Sequence, residues 1–145
     1  MDLTIPLENN TFNVRVAVLI QKDGGFILEE KTEGGYCFPI GGRIKSGETS
    51  EEATKREVFE ELGIIVDACH LKAVVELFFS EQDNNFQEIC FVYTAKHVDD
   101  FILPQGFKSY TLEEIETIDF RPQIIKEVMR SNNQDILHLH VRESS

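Results

Sequence analysis

Apolar residues alternate with polar ones, or form short apolar runs, over most of the chain, and both patterns are typical of β-strands. Polar or glycine-rich segments at residues 22–25, 32–35 and 81–85 separate these runs and predict turns. The run at 86–96 is apolar enough to lie centrally in a sheet. The predicted strands are residues 15–20, 26–30, 36–40, 64–66, 71–80, 86–96 and 136–142.

One long helix is predicted between two end signals. Thr49 and Glu52 have the spacing of a capping box, in which each side chain accepts a hydrogen bond from the other residue's backbone amide. Gly63 supplies a residue that can adopt the left-handed conformation at a helix end. We therefore expect a loop at residues 41–48 and a helix at 50–62.

Two shorter helical segments are predicted near the C-terminus. Residues 112–116 form a helical turn, and Pro122 suits the first turn of a helix that runs to about Arg130. Strands interrupted by helices that are far apart in sequence predict an α/β/α sandwich around a mixed sheet. With 145 residues, the chain is expected to form one domain, residues 1–145.

The long helix carries three carboxylates in an unfavourable position. Glu57, Glu60 and Glu61 fall within an arc of about 100°, and like charges three or four residues apart repel each other. Glu60 and Glu61 also lie in the last turn, at the negative end of the helix dipole. A solvated acidic face explains this poorly, whereas a bound Mg²⁺ or Mn²⁺ would remove the repulsion.

The other sides of this helix carry candidates for packing. Val58, Phe59 and Leu62 are expected to pack on a sheet. Ser50 and Ala53 are small residues on the acidic side, where they would leave room for a ligand.

Arg56 lies four residues from both Glu52 and Glu60, so it can pair with either of them. A surface ion pair of this kind would contribute little to stability.

The window 42–64 combines these features at fixed spacing. It contains Gly42, Glu48, Arg56-Glu57, Glu60-Glu61 and Gly63-Ile64. This pattern resembles the Nudix box, the signature of hydrolases that act on nucleoside diphosphates linked to another group. The resemblance implies the Nudix sandwich fold and a diphosphate bond cleaved by water that Mg²⁺ or Mn²⁺ activates. The implied metal ligands are Glu57, Glu60 and Glu61, with Glu48 as an outer or structural contact, and Arg56 would orient them.

Residues outside the helix complete the expected site. Gly41 and Gly42 would allow close approach of substrate or a positive φ. The segment before the helix reads Pro39-Ile40-Gly41-Gly42, one residue longer than the common family form Pro-Gly-Gly. This departure leaves the local backbone path open.

Glu88 has two interpretations. Strand alternation favours an outward-facing carboxylate at a sheet edge, whereas the resemblance implies a further metal ligand or a general base. The sequence does not decide whether Glu60 or Glu88 is the base. Arg15, Phe79 and Tyr93 are candidates for substrate recognition without a distinguishing pattern. His138 and His140 share one strand face, for which a solvated surface is expected.

The composition limits which classes of molecule this chain is expected to bind. A net charge of −12 argues against duplex nucleic acid, and favours a small nucleotide or diphosphate substrate whose charge bound cations match. We expect no membrane partner, because no apolar run is long enough to span a bilayer. Three widely spaced cysteines predict reduced thiols and a cytoplasmic location. The sequence leaves a homodimer possible.

Two rival functions share the fold. A nucleotide-sensing domain without catalysis would be expected to lose carboxylates of the box, and this chain keeps them all. An isomerase of an isoprenoid diphosphate would need a reactive cysteine and further glutamates that no motif supplies. A structural protein with an incidental acidic helix is disfavoured by the charges in the last turn.

Overall fold

The computed structural model describes residues 1–31, 33 and 35–143. Its elements, in chain order, are β1 (Thr4–Pro6), β2 (Asn10–Lys22), β3 (Gly25–Lys31), β4 (Tyr36–Arg43), α1 (Ser50–Leu62), β5 (Val66–Glu81), β6 (Asn84–His97), β7 (Phe107–Tyr110), α2 (Leu112–Thr117), α3 (Ile125–Arg130) and β8 (Leu137–Arg142).

The strands form one mixed sheet in the order β7-β3-β4-β2-β6-β5-β8, with β1 paired to β2. The pairs β2–β6 and β5–β8 are parallel, and the others are antiparallel. β6 lies between β2 and β5, which confirms the central position that its apolar run predicts.

Helices cover both faces of the sheet. On one face, Val58 and Leu62 of α1 pack with Val18, Ile20 and Ile40. The opposite face packs against α2 and α3, and its buried cluster includes Ala17, Leu19, Val75, Ile115, Ile125 and Val128. Adjacent residues of β2 thus point to opposite layers. The predicted α/β/α sandwich around a mixed sheet is confirmed.

The helix expected at 50–62 is confirmed at both ends. Thr49 and Glu52 form both hydrogen bonds of the capping box, and Gly63 has the left-handed conformation, with φ 70° and ψ 20°. β4, however, continues to Arg43, so the loop predicted at 41–48 begins later. Of the turn predicted at 32–35, Thr32 and Gly34 lie outside the described residues.

Several other boundaries differ from the sequence prediction. Of the predicted strand 64–66, Ile64 and Ile65 lie outside any strand, and only Val66 belongs to β5. The segment 71–80 lies in the same strand, because bulges near Ala68, with φ 50°, let β5 continue through the polar stretch. The third helix begins at Ile125 and not at Pro122, because residues 122–124 form a turn closed by the Ile125 amide on the Pro122 carbonyl. β1 and β7 were not predicted, since they contain only 3 and 4 residues.

Candidate active site

Helix α1 is fixed to the sheet by a small set of buried side chains. Ala53, Val58 and Leu62 are buried and hold the helix against the sheet face that it covers. Phe59 was expected to join them but is 60% exposed, because it projects about 100° away from Val58 around the helix axis. Burial of Ala53 against Val16 and Ile44 also removes the space expected beside the acidic residues.

Arg56 connects three of the predicted site carboxylates. Its guanidinium donates two hydrogen bonds to Glu48, from Nε to Oε2 at 2.6 Å and from Nη2 to Oε1 at 2.9 Å. Nη1 donates to Glu57 Oε1 at 2.9 Å and to Glu60 Oε2 at 3.2 Å. Glu52, the other partner that the spacing allows, instead accepts a hydrogen bond from the Thr49 amide.

Both carboxylate oxygens of Glu48 are engaged within the protein. Besides Arg56, the Lys45 amide donates to Oε1 at 2.8 Å. The hydrogen bonds from Arg56 lower the pKa of Glu48 to about 2. Each of the two side chains is only 19% exposed. This pair is therefore more shielded from water than the surface ion pair that the sequence allowed for Arg56.

The paired glycines make close contacts with other parts of the protein. A Cβ atom on Gly42 would lie 2.4 Å from Oε1 of Glu57, and one on Gly41 would lie 2.0 Å from the carbonyl oxygen of Val16. Neither glycine is among the residues with positive φ. Gly42 thus leaves room for the Glu57 carboxylate, and Gly41 leaves room for strand β2.

Glu61 is the most perturbed carboxyl group of the site. Burial, followed by the nearby charges of Glu29 and Glu57, raises the pKa of Glu61 to about 8. Burial likewise raises the pKa of Glu57 and of Glu29. Oε2 of Glu61 is buried and has no hydrogen-bond partner in the described part of the chain. Such a group is costly unless something binds it.

This arrangement fits a divalent cation. An orphaned, buried carboxylate oxygen beside two further carboxylates is a set of hard oxygen donors suited to Mg²⁺ or Mn²⁺. Glu57 would keep Oε2 for the cation while Arg56 holds Oε1. Among the described residues, no three carboxylate, imidazole or thiol groups are already gathered into a complete metal cluster, so these side chains would have to close around the ion.

Glu60 and Glu48 are more loosely joined to this carboxylate group. The side chain of Glu60 is 50% exposed; Arg56 links it to Glu57, and its charge is one of the smaller causes that raise the pKa of Glu57. Glu29 acts on Glu61 through its charge, although Glu29, Glu57 and Glu61 are not gathered into one cluster among the described residues. Glu29 was not singled out from the sequence, where it is the first of the charged residues Glu29, Glu30 and Lys31 that end an apolar run and carries no distinguishing signal.

A cleft of about 1470 Å³ lies on the sheet face that α2 and α3 cover. Arg15 of β2 and Glu88 of β6 line it, and Arg15 Nη1 is 3.8 Å from Glu88 Oε2. Burial raises the pKa of Glu57 and Glu61, and the positive charge of Arg15 offsets a small part of that rise. Arg15 therefore lines the cleft and is also close enough to act on the carboxylates of α1.

Glu88 is buried, with 4% of its surface exposed. Asn13, which pairs with it in the parallel ladder, donates from Nδ2 to Glu88 Oε2 at 3.0 Å. The expectation of an outward-facing edge carboxylate is wrong, because β6 is an inner strand with neighbours on both sides. Asn13 was not predicted, and its buried Oδ1 has no partner among the described residues.

The remaining candidates divide between the two layers. Phe79 lines the cleft with Arg15 and Glu88. Tyr93 does not, since it is buried and its hydroxyl is 2.6 Å from Oγ of Ser50 on α1. His138 and His140 are exposed, and Nε2 of His138 is 2.7 Å from Oε2 of Glu76.

Comparison with known proteins bears on the family and the fold of the chain. The family model described as "NUDIX domain" matches residues 10–132. Nudix hydrolase 3 of Caenorhabditis elegans is 38% identical over 79 residues, which are 52% of this chain and 31% of the relative. The oxidized purine nucleoside triphosphate hydrolase of Danio rerio is 36% identical over 63 residues, 41% of this chain and 40% of the relative. The chain thus matches less than half the length of these curated relatives.

Among solved structures, the MutT protein from Bacillus halodurans superimposes with a TM-score of 0.74 at 19% identity, over 91% of this chain and 90% of that one. A Nudix hydrolase from Nitrosomonas europaea gives a TM-score of 0.68 at 21% identity, over 98% and 83% of the two chains. None of the helices in the described part of the chain has the length and apolar character needed to cross a membrane. With the family model covering most of its length, the chain belongs to the Nudix family.

Proposed function

We propose that this chain is a divalent-cation-dependent hydrolase, acting as one domain, that cleaves the diphosphate bond of nucleoside-diphosphate-linked or nucleoside-triphosphate-type substrates. The observation that carries the proposal is the group Glu29, Glu57 and Glu61, in which Oε2 of Glu61 is buried and orphaned. A structural helix gains nothing from such a group. A cation site explains it, and relatives that hydrolyse nucleoside triphosphates support the substrate class.

Glutamates and arginines of the site would have different roles. Glu57 and Glu61 would hold the cation, which when bound neutralises phosphate charge and makes water a better nucleophile. Arg56 fixes the rotamer of Glu57 through Oε1, and thereby the direction of its second oxygen. Arg15 lies beside the carboxylate group and opens to the cleft, where its guanidinium can pair with a phosphate oxygen of the substrate.

The general base is one of two glutamates. Glu60 is half exposed on the same helix as Glu57 and Glu61, so it reaches water directly. Glu88 is buried in the cleft and held by Asn13. Single-turnover rates against pH separate the two, because replacement of the base by glutamine removes the limb of the profile that the base produces. The other variant keeps that limb.

The cleft can take a small anionic substrate only with help from bound cations. Its lining carries both signs of charge, with basic side chains that include Arg15, Lys31 and Arg142 standing among glutamates. In a chain with a net charge of −12, bound divalent cations would supply the rest of the charge match to a diphosphate. The rival function as a nucleotide sensor would use the same cleft but show no turnover. A cytoplasmic location and a homodimer remain predictions.

The test is a screen of nucleoside diphosphate sugars, dinucleoside polyphosphates, ADP-ribose, dinucleotides and nucleoside triphosphates with Mg²⁺, with Mn²⁺ and with excess EDTA. Glu57→Gln and Glu61→Gln should abolish turnover of whichever substrate is cleaved. Glu51→Gln is the matched control on the exposed first turn of the same helix. Full activity in EDTA, or an equal loss in Glu51→Gln, would contradict the proposed site.

A further inference from the structure

A second hollow lies on the same face of the sheet, on the other side of α3 from the cleft. It has a volume of about 510 Å³. Strand alternation places both spaces on one face: along β2, Arg15 and Ala17 line the cleft, and Leu19 and Gln21 farther on line the hollow. Helix α3 contributes Ile125 to the cleft and Val128 and Met129 to the hollow. The helix therefore forms a wall shared by the two spaces.

The charges around this hollow are of one sign. His70 and Lys72 of β5 and Lys96 and His97 of β6 line it, and within the described residues no aspartate or glutamate does. The whole chain has 26 acidic residues against 14 lysines and arginines, so a lining whose ionisable residues are all basic is unexpected here. Thr94 and Ser131 add hydroxyl groups to the lining.

Structural roles account for only part of this cluster. Lys72 Nζ donates to the carbonyl of Asn133 at 2.8 Å, just beyond the end of α3. Nδ1 of His97 is 2.8 Å from the Asp99 carbonyl oxygen. Lys96 and His70, by contrast, form no side-chain hydrogen bond or salt bridge with any residue that the structure describes.

The nearest acidic candidate does not neutralise Lys96. Asp67 pairs with Lys96 in the ladder between β5 and β6, but no salt bridge joins them within the described residues. Oδ1 of Asp67 instead accepts a hydrogen bond from the adjacent Ala68 amide at 2.7 Å. The positive side of the hollow is left open to an external anion.

We propose that this hollow is a second anion-binding site, which takes a small, multiply charged anion of the phosphate class. Lys96 and Lys72 supply ammonium donors, His70 supplies a ring N–H, and the hydroxyl groups of Thr94 and Ser131 complete a set of donors suited to phosphate oxygens. The site is independent of the proposed hydrolysis, and its partition from the cleft by α3 makes the two sites separately measurable.

Amide chemical-shift titration with inorganic pyrophosphate, without added divalent cations, tests this proposal residue by residue. Saturable shifts are expected at His70, Lys72, Lys96 and His97. Sodium chloride at matched ionic strength should not reproduce them. The double variant His70→Gln/Lys96→Gln should weaken binding at these amides by about tenfold or more, since the ammonium charge and the ring N–H are replaced by neutral amides that hold weaker hydrogen bonds to an anion. Lys55→Gln, a charge removal at an exposed position on α1, should leave binding unchanged.

Three results would overturn the second site: shifts confined to residues of the cleft, shifts that chloride reproduces, or unchanged affinity in the double variant. The spectrum itself reports whether each variant is folded. Because no turnover is measured, a negative result would leave the proposed hydrolase activity untouched.

Discussion

Replacement of Glu61 by glutamine should make the metal-free protein more stable at alkaline pH. Burial raises the folded-state pKa of Glu61 from its ordinary 4.5 to about 8. A carboxyl group with a raised folded pKa binds more protons in the folded than in the unfolded chain. Its contribution to stability is therefore full below pH 4.5 and is lost as the pH rises towards 8.

The size of the effect follows from the same shift. At about 1.4 kcal/mol per pKa unit, the full difference would be about 5 kcal/mol, and solvent access to part of the group reduces this to about 1–3 kcal/mol. Glu61→Gln keeps the shape and removes the charge, so it should gain this amount at pH 8 relative to the wild type. Near pH 4.5 the difference should largely vanish, because the carboxyl group is then mostly protonated in the folded protein.

Urea unfolding in EDTA at both pH values measures this difference directly. Glu51→Gln is the control, since Glu51 is exposed in the first turn, where its charge is favourable. That variant should lose a few tenths of a kcal/mol. A Glu61→Gln variant that is less stable than the wild type at pH 8, or equally shifted at both pH values, would refute the reasoning.

Three further predictions concern the same site. Gly42→Ala should leave the fold nearly intact but weaken Mg²⁺ binding measured by calorimetry, because the added Cβ displaces the Glu57 carboxylate. Gly41→Ala should instead lower the melting temperature, because its Cβ meets the backbone of β2. The reverse pattern would contradict this assignment. Arg56→Gln should lower the free energy of unfolding by about 1–3 kcal/mol at pH 7. This loss should shrink as the pH falls from 4.5 towards 2, because Glu48 then becomes protonated. Arg130→Gln, which breaks an exposed pair with Glu116, should lower the free energy of unfolding by less than about 1 kcal/mol. Mg²⁺ at about 100 times its Kd should stabilise the wild type by about 2.7 kcal/mol in thermal unfolding and Glu61→Gln much less; an equal gain in both would place the ion elsewhere.

The sequence predicts α1 closely because its end signals are local. Thr49 and Glu52 act within the first turn of the helix, and Gly63 acts directly after its last turn. Each signal is local to one end, so the sequence alone determines where the helix begins and ends. β7, in contrast, depends on a distant partner. β7 pairs with β3, about eighty residues earlier, and no local pattern identifies so short a strand.

The sequence could not predict which side chains of the site the neighbouring strands bury. Glu88 follows an alternating pattern that suits an edge strand, but β2 and β5 enclose β6 and bury its side chain. Glu29 joins the site only because β3 brings it near Glu61. For Phe59 the error is the opposite one. The residue is apolar and was expected to be buried, but it lies on the side of the helix that faces away from the sheet and is exposed.

Hydrolysis in ¹⁸O-labelled water tests the central claim most directly. If Glu57 and Glu61 direct water to phosphorus, the label should appear on a phosphate of one product and the glycosidic bond should survive. No covalent enzyme intermediate should accumulate, because residues 42–64 contain no cysteine or histidine and the one serine of the helix, Ser50, is hydrogen-bonded to the Tyr93 hydroxyl at 2.6 Å. Label in a sugar hydroxyl, or a trapped phosphoryl-enzyme, would contradict the account even with the fold unchanged.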